Sequence, residues 1–200
     1  MTTPTGRGRP RDAGVDRAIL QAALDLFIER GVEGSSIEQI AKRAGVGKPT
    51  IYRRWSTKEE LIAAAMETLI AEEVGWASPE EVDVESPYEL VEAAIESAAV
   101  TTTTPHYRAL VARVFGSAVS HPALMAVYWD RYIAPRRKLA ARLLERAREC
   151  GTVAAETDFD VSIDMMVGAI TYRVLQPDPP DTDEMRRYLR AVYRQVGLLP

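Results

Sequence analysis

Apolar residues along this chain recur at helical rather than strand spacing. Between Asp12 and Arg30, the residues Ile19, Ala22, Ala23, Leu26 and Phe27 fall at i, i+3, i+4, i+7 and i+8, one face of a first helix. Gly31 stands where a glycine ends such a helix. A short second helix carries Ile37, Ile40, Ala41 and Ala44 behind Ser35 and Ser36, and Glu38 and Gln39 sit at the capping-box spacing from those serines. It stops at Gly45-Val46-Gly47. Lys48-Pro49 opens a third helix, since proline is tolerated in a first turn, and this helix places Ile51 and Trp55 four residues apart on one side. Ser56 and Thr57, followed by Glu59 and Glu60, cap a fourth helix that runs to about Val74.

After a loop around Gly75 and Pro79, Ser86-Pro87 with Glu89 starts helix five, which extends to about Thr103. Pro105 resets the chain, and helix six covers roughly Tyr107 to Val119. Ser120 and Pro122 begin a long seventh helix ending at Gly151. Pro135 lies inside it and predicts a kink, because the ring removes a backbone donor. Helix eight starts at Thr157 and ends before Pro177. Helix nine starts at Thr182 and carries Met185, Leu189, Val192 and Val196 on one stripe. No segment alternates with period two for the length of a strand. The expected fold is all-α with about nine helices: an arm over 1–11, a three-helix helix-turn-helix domain over 12–60, and a larger helical domain over 61–200.

Composition agrees with a packed globular chain: 46% of residues are hydrophobic and 27% are charged. The run Met1 to Arg11 is polar, with Arg7, Arg9 and Arg11, so no signal peptide and no membrane span is expected. The single Cys150 cannot close an intrachain disulfide, and the reading is cytoplasmic. Charge changes the picture more. The net charge of −4 is unevenly placed: residues 1–60 hold 11 basic and 8 acidic side chains, leaving 14 and 21 for residues 61–200. From Gln39 to Thr57 stand Lys42, Arg43, Lys48, Arg53 and Arg54 with no acid, and Lys58 follows directly. A duplex draws such a patch through its phosphates, with counterion release as the driving term.

Three short helices before a longer one, with a glycine turn between the second and third, fit a helix-turn-helix. Ala41 is small where the recognition helix crosses. Gly45 can take a left-handed backbone. Val46, Ile51 and Trp55 are the anchors that hold the two helices together. Lys48, Thr50, Tyr52, Arg53 and Arg54 are then left to face a major groove. Either Arg53 or Arg54 can fork onto guanine. Thr50 and Tyr52 can reach phosphate or a thymine methyl, Lys48 and Lys58 are candidate phosphate clamps, and Ser36 at its helix N-terminus is a further anion contact. Two other readings stay open on these residues: a nonspecific architectural DNA-binding protein, and a helical small-molecule carrier with an incidental basic patch.

The run Ser35-Ser36-Ile-Glu-Gln-Ile-Ala-Lys-Arg-Ala-Gly-Val-Gly-Lys-Pro-Thr-Ile-Tyr-Arg-Arg-Trp-Ser-Thr-Lys-Glu-Glu-Leu61 resembles the DNA-binding signature of the TetR/AcrR family. The likeness covers about residues 15–65. It departs at Gly47, where a Ser often precedes the Lys. The resemblance implies DNA contact through Ser35, Ser36, Lys48, Pro49, Thr50, Tyr52, Arg53, Arg54 and Lys58. It also implies a homodimer joined through its last two helices, a palindromic double-stranded operator, and a C-terminal cavity whose small-molecule effector lifts repression. The helix-nine stripe, with Met165, Met166 and Tyr172 of helix eight, fits either the dimer seam or an ordinary core.

Trp76, Phe115, His121, Met125, Trp129 and Met166 are candidate lining residues of a largely apolar pocket, although aromatics at helical spacing serve equally as core. His106 and His121, each beside a proline, read as cap or surface residues. With two His, one Cys and none of the familiar nucleophile, metal or phosphate-loop spacings, no catalytic residue, cofactor or metal is expected.

Overall fold

A computed structural model describes residues 13–73 and 86–200, and these are helical without strands. Residues Arg7, Arg9, Arg11 and Trp76 lie outside that range. Nine helices follow among the described residues. They are α1 (Ala13–Arg30), α2 (Ile37–Ala44), α3 (Lys48–Tyr52), α4 (Lys58–Glu73), α5 (Pro87–Thr102), α6 (Pro105–Gly116), α7, α8 (Phe159–Val174) and α9 (Thr182–Gln195). Helix α7 has three parts, Pro122–Tyr128, a π turn at Trp129–Ile133, and Ala134–Glu149. The chain divides into two compact units inside α4, between Ala65 and Met66.

In the first unit the predicted α1 face is fully enclosed: Ile19, Ala22, Ala23, Leu26 and Phe27 are all buried, and α2 packs on both α1 and α3. Ser36 caps α2 by accepting from the Gln39 N–H, and the Gln39 side chain accepts from the Ser36 N–H at 2.9 Å. This reciprocal pair satisfies two donors that the helix start leaves open. At the other end Gly45 adopts φ 68°, a left-handed conformation that a β-carbon disfavours.

The second unit is built around a core shared by α5, the last part of α7, α8, α9 and the C-terminal tail. Val91, Ile95, Leu144, Ile163, Leu189 and Leu198 lie within it. Met185, Leu189 and Val196 of the α9 stripe are buried in this same core, and Val192 packs against it. That stripe therefore faces its own subunit, a correction to the dimer-seam alternative. Outside the core, Arg186 forks onto Glu96 at 2.7 and 2.8 Å and Arg190 reaches Glu92 at 2.6 Å, tying α9 to α5. The paired guanidinium holds each of these glutamates below its usual titration range.

Several helix ends shift from expectation. Thr104 caps α6 by accepting from the Tyr107 N–H, so that helix starts at Pro105 and ends at Gly116, short of Val119. Asp158 and Asp181 take the cap positions of α8 and α9, where carboxylates accept more strongly than the neighbouring threonines. Ser86 precedes α5 without a side-chain cap bond. Around Pro135 the backbone widens: the Ala134 N–H reaches the Trp129 carbonyl, five residues back. A π turn directly ahead of the proline thus takes the place of a simple kink.

Leu144 is fully buried between helices. Leu144→Ala is expected to destabilise the protein by about 2–5 kcal/mol through transfer and cavity terms, read as a lower urea midpoint by circular dichroism.

Candidate nucleic-acid interface and cavity

Helix α3 has five residues and one deep anchor, Ile51, which is completely buried. Its neighbours divide by direction. Lys48, Pro49, Tyr52 and Arg53 are exposed, Thr50 is half-buried, and Tyr52 has 56% of its surface open. Trp55 and Val46 are half-buried beside the anchor. The outward set therefore offers a cation, a guanidinium fork and an aromatic hydroxyl along less than two turns, a chemistry able to meet base edges and phosphates.

The remaining candidates are held within the unit. Arg54 turns inward: its Nε pairs with Asp16 of α1 and its Nη1 donates to the Thr50 carbonyl at 3.0 Å, leaving 15% of the side chain exposed. It fastens α3 to α1 and is not part of the outward face. Ser35 is buried and its hydroxyl donates to the Val32 carbonyl at 3.0 Å. Lys58 donates to the carbonyls of Val32 and Ser35 at 2.6 and 3.1 Å, closing the α1–α2 loop onto the first turn of α4. Ser36 is committed to its cap. These three residues shape the turn from behind.

Electrostatics on the outward face are easily rearranged. Lys48 bonds Glu38 at 2.6 Å with both side chains at least half open to solvent. The pairing raises the lysine and lowers the glutamate from their ordinary titration ranges. A pair so exposed contributes little to stability, and Lys48 can exchange the carboxylate for a phosphate at small cost. Arg53 donates from Nη2 to Thr50 Oγ1 at 3.3 Å.

The second unit contains a cavity of about 410 Å³ between α5, α6, α7, α8 and α9, within the range that takes a drug-sized ligand. Phe115 and Met166 line it as the sequence suggested, together with Leu90, Ala94, Leu139 and Ile170. His121, Met125 and Trp129 do not line it. His121 occupies the N-cap of α7 with Nδ1 3.1 Å from Ser120 Oγ. Trp129 is one residue beyond the inward-facing Tyr128, so about 100° of helical rotation carries its ring outside, where Arg137 lies over it at 5.7 Å.

Missing from the expected set is the polar column of this cavity. Tyr128 and Tyr132 stack with centroids 5.0 Å apart, Phe115 meets Tyr128 edge-on at 6.3 Å, and the Arg136 guanidinium lies 3.5 Å above the Tyr132 ring. Arg136 Nη1 also donates to the Tyr132 carbonyl at 2.7 Å. Burial pushes the hydroxyls of Tyr107 and Tyr128 well above the usual tyrosine range, and the same desolvation lowers the Arg136 guanidinium. The Tyr193 hydroxyl, also at the cavity wall, is pushed up to about 12 by burial. Tyr128, Tyr132 and Arg136 recur four residues apart on α7, a spacing visible in the sequence but indistinguishable there from a core stripe.

Comparison with known proteins covers both units. Residues 19–65 match the model of bacterial regulatory proteins of the tetR family, and residues 85–192 match that of the tetracyclin repressor-like C-terminal domain. An uncharacterized HTH-type transcriptional regulator of Bacillus subtilis, YdeS, is 34% identical over 84% of this chain and 82% of its own length. The HTH-type transcriptional repressor Rv3405c of Mycobacterium tuberculosis is 37% identical over 46% of this chain and 44% of its own length. Among solved structures, a TetR-family transcriptional regulator from Rhodococcus sp. superposes with a TM-score of 0.72 at 19% identity, covering 93% of this chain and all of that one.

Replacing Arg54 separates its fastening role from a reading role. Arg54→Ala is expected to lower the stability of the first unit by about 1–3 kcal/mol through loss of charged hydrogen bonds. Tyr52→Ala, on the open face, is expected to leave the thermal melt within error; the two melts are compared by circular dichroism.

Proposed function

The chain belongs to the tetR family of bacterial regulatory proteins, DNA-binding transcriptional regulators rather than enzymes, and from that premise we propose that it is a homodimeric repressor released from a palindromic operator by a small molecule. The observation that carries this reading is the outward face of α3. Lys48, Tyr52 and Arg53 are exposed on it while Ile51 and Arg54 hold the helix in place. Each protomer presents one such helix, and two related by a two-fold axis read two half-sites of a palindrome. A repressor role is supported by the relative Rv3405c, described as a repressor. The protein acts in the cytoplasm, where its operator lies.

The dimer is supported by α8. Val161, Met165 and Tyr172 are exposed on this helix and Leu175 at its C-cap, at spacings of four, seven and three residues. Gly168 falls between them, with open space where its β-carbon would be. That repeat is one apolar seam of the kind helices pair through, and 72% of Tyr172 is open to solvent in the single subunit. Release follows from linkage: an effector that binds the cavity more tightly in a DNA-incompetent arrangement lowers operator affinity by its differential affinity for the two arrangements.

Selection of bound duplexes from a random DNA pool at near-physiological salt is expected to enrich one palindrome. Arg53→Ala and Tyr52→Ala are then each expected to weaken binding to it by roughly tenfold or more with an unchanged melt. Binding without an enriched sequence would favour an architectural protein instead. Met165→Arg is expected to convert the dimer to a monomer in light scattering and to weaken operator binding with it; an unchanged dimer mass would remove α8 from the interface.

A further inference from the structure

We propose that Glu38 is an internal stand-in for a DNA phosphate: it occupies Lys48 in the free protein, so that a duplex has to displace it, and it thereby holds down affinity for DNA of any sequence. This rests on the reading of the outward α3 face as the face that meets DNA. Glu38 lies in the first turn of α2, and Lys48 opens α3. Lys48 Nζ donates to Glu38 Oε1 at 2.6 Å across the turn that joins the two helices. Lys48 keeps 50% of its side chain open to solvent and Glu38 keeps 63%, so the pair stands at the surface that an approaching phosphate reaches first. Each partner also favours the charged form of the other.

The fold draws little from this carboxylate. The start of α2 is already closed by the reciprocal bonds of Ser36 and Gln39, and α3 is anchored by the buried Ile51 and by Arg54 on Asp16. An ion pair so exposed contributes little to stability. Its consequence for a polyanion is larger. The run from Gln39 to Thr57 carries five basic residues and no acid, and Glu38, immediately before it, sets a negative charge against one of those cations. A lysine without a carboxylate partner gains a phosphate and releases the counterions condensed there. A lysine that first has to leave a carboxylate loses part of that gain, and the carboxylate left behind repels the DNA backbone. Phosphate contacts are common to every sequence, whereas base contacts are not. With the phosphate contribution held down, the protein leaves ordinary duplex more readily, and its residence is decided by contacts such as those open to Tyr52 and Arg53.

The test is fluorescence anisotropy of the full chain with a labelled duplex of scrambled sequence over a series of salt concentrations. Glu38→Gln is expected to tighten binding at physiological salt by about two- to fivefold. It is also expected to steepen the fall of log affinity with log salt by about 0.9 for each Lys48 that meets a phosphate. In a Lys48→Met background the same substitution should change both readouts much less; an undiminished effect there would overturn the action through Lys48 in favour of general repulsion. A carboxylate that merely positions α3 predicts the opposite sign, so weaker binding by Glu38→Gln, or an unchanged salt slope, would also overturn the proposal. Glu38→Ala is a second variant with the same expected outcome, and thermal melts by circular dichroism report that each variant folds. If the unmutated protein binds no duplex even at low salt, the DNA reading of the α3 face fails and this inference with it. Binding by the unmutated protein without a response to Glu38→Gln removes this inference alone.

Discussion

A helix of five residues cannot hold its shape in water, because the cost of nucleating the first turn is not recovered over so few hydrogen bonds. Helix α3 is such a helix, and everything required of it depends on the burial of one side chain, Ile51. With that residue inside and Arg54 paired to Asp16, the direction of every other α3 side chain is settled by helical rotation. Lys48, Tyr52 and Arg53 point outward as a consequence of where Ile51 and Arg54 point inward. The α1–α2 loop is braced in the same way: Lys58 gathers the Val32 and Ser35 carbonyls, and Gly45 supplies the backbone hand that brings α3 across α2.

What could be read from the sequence was what is decided over a few residues. The buried face of α1, the capping box at Ser36 and the glycine turn depend on neighbours within about one or two helical turns, and each appears in the structure at its place. The same locality explains why the all-helical class and the order of nine helices were legible. The direction of Arg54 was not. Its partner Asp16 is 38 residues away, and nothing in a run of basic residues marks which one will find a distant carboxylate. The partners of Lys58, a candidate phosphate clamp from sequence, are hidden for the same reason: they are carbonyls of the loop two helices earlier.

The cavity was harder still, because it depends on one irregular turn. A sequence reader treats Pro135 as a kink and continues regular helix on either side. In the structure the turn ahead of it widens, and the column of Tyr128, Tyr132 and Arg136 forms across that widening. Trp129, the larger and more conspicuous aromatic, falls outside for want of a single residue of rotation. An arginine in an otherwise apolar stripe is easily passed over as a solvated charge, since long cations commonly lay their stems on apolar surface. Here the charged end itself stays at the cavity wall.

These features place different demands on the two units. In the first, Asp16 pairs with Arg54, Glu29 pairs with Arg43, and Lys58 engages loop carbonyls, which holds the helices behind the outward face together. In the second, ion pairs at Glu92, Glu96, Asp160 and Asp164 clamp the helices from outside while the centre keeps a cavity that a denser core would fill. Leaving that space open forgoes packing contacts. That cost weighs against stability. Any molecule that fills such a space supplies the missing contacts and stabilises the arrangement that holds it in proportion to its occupancy. The feature that makes the second unit less than optimally packed is thus the one on which the proposed effector reading rests.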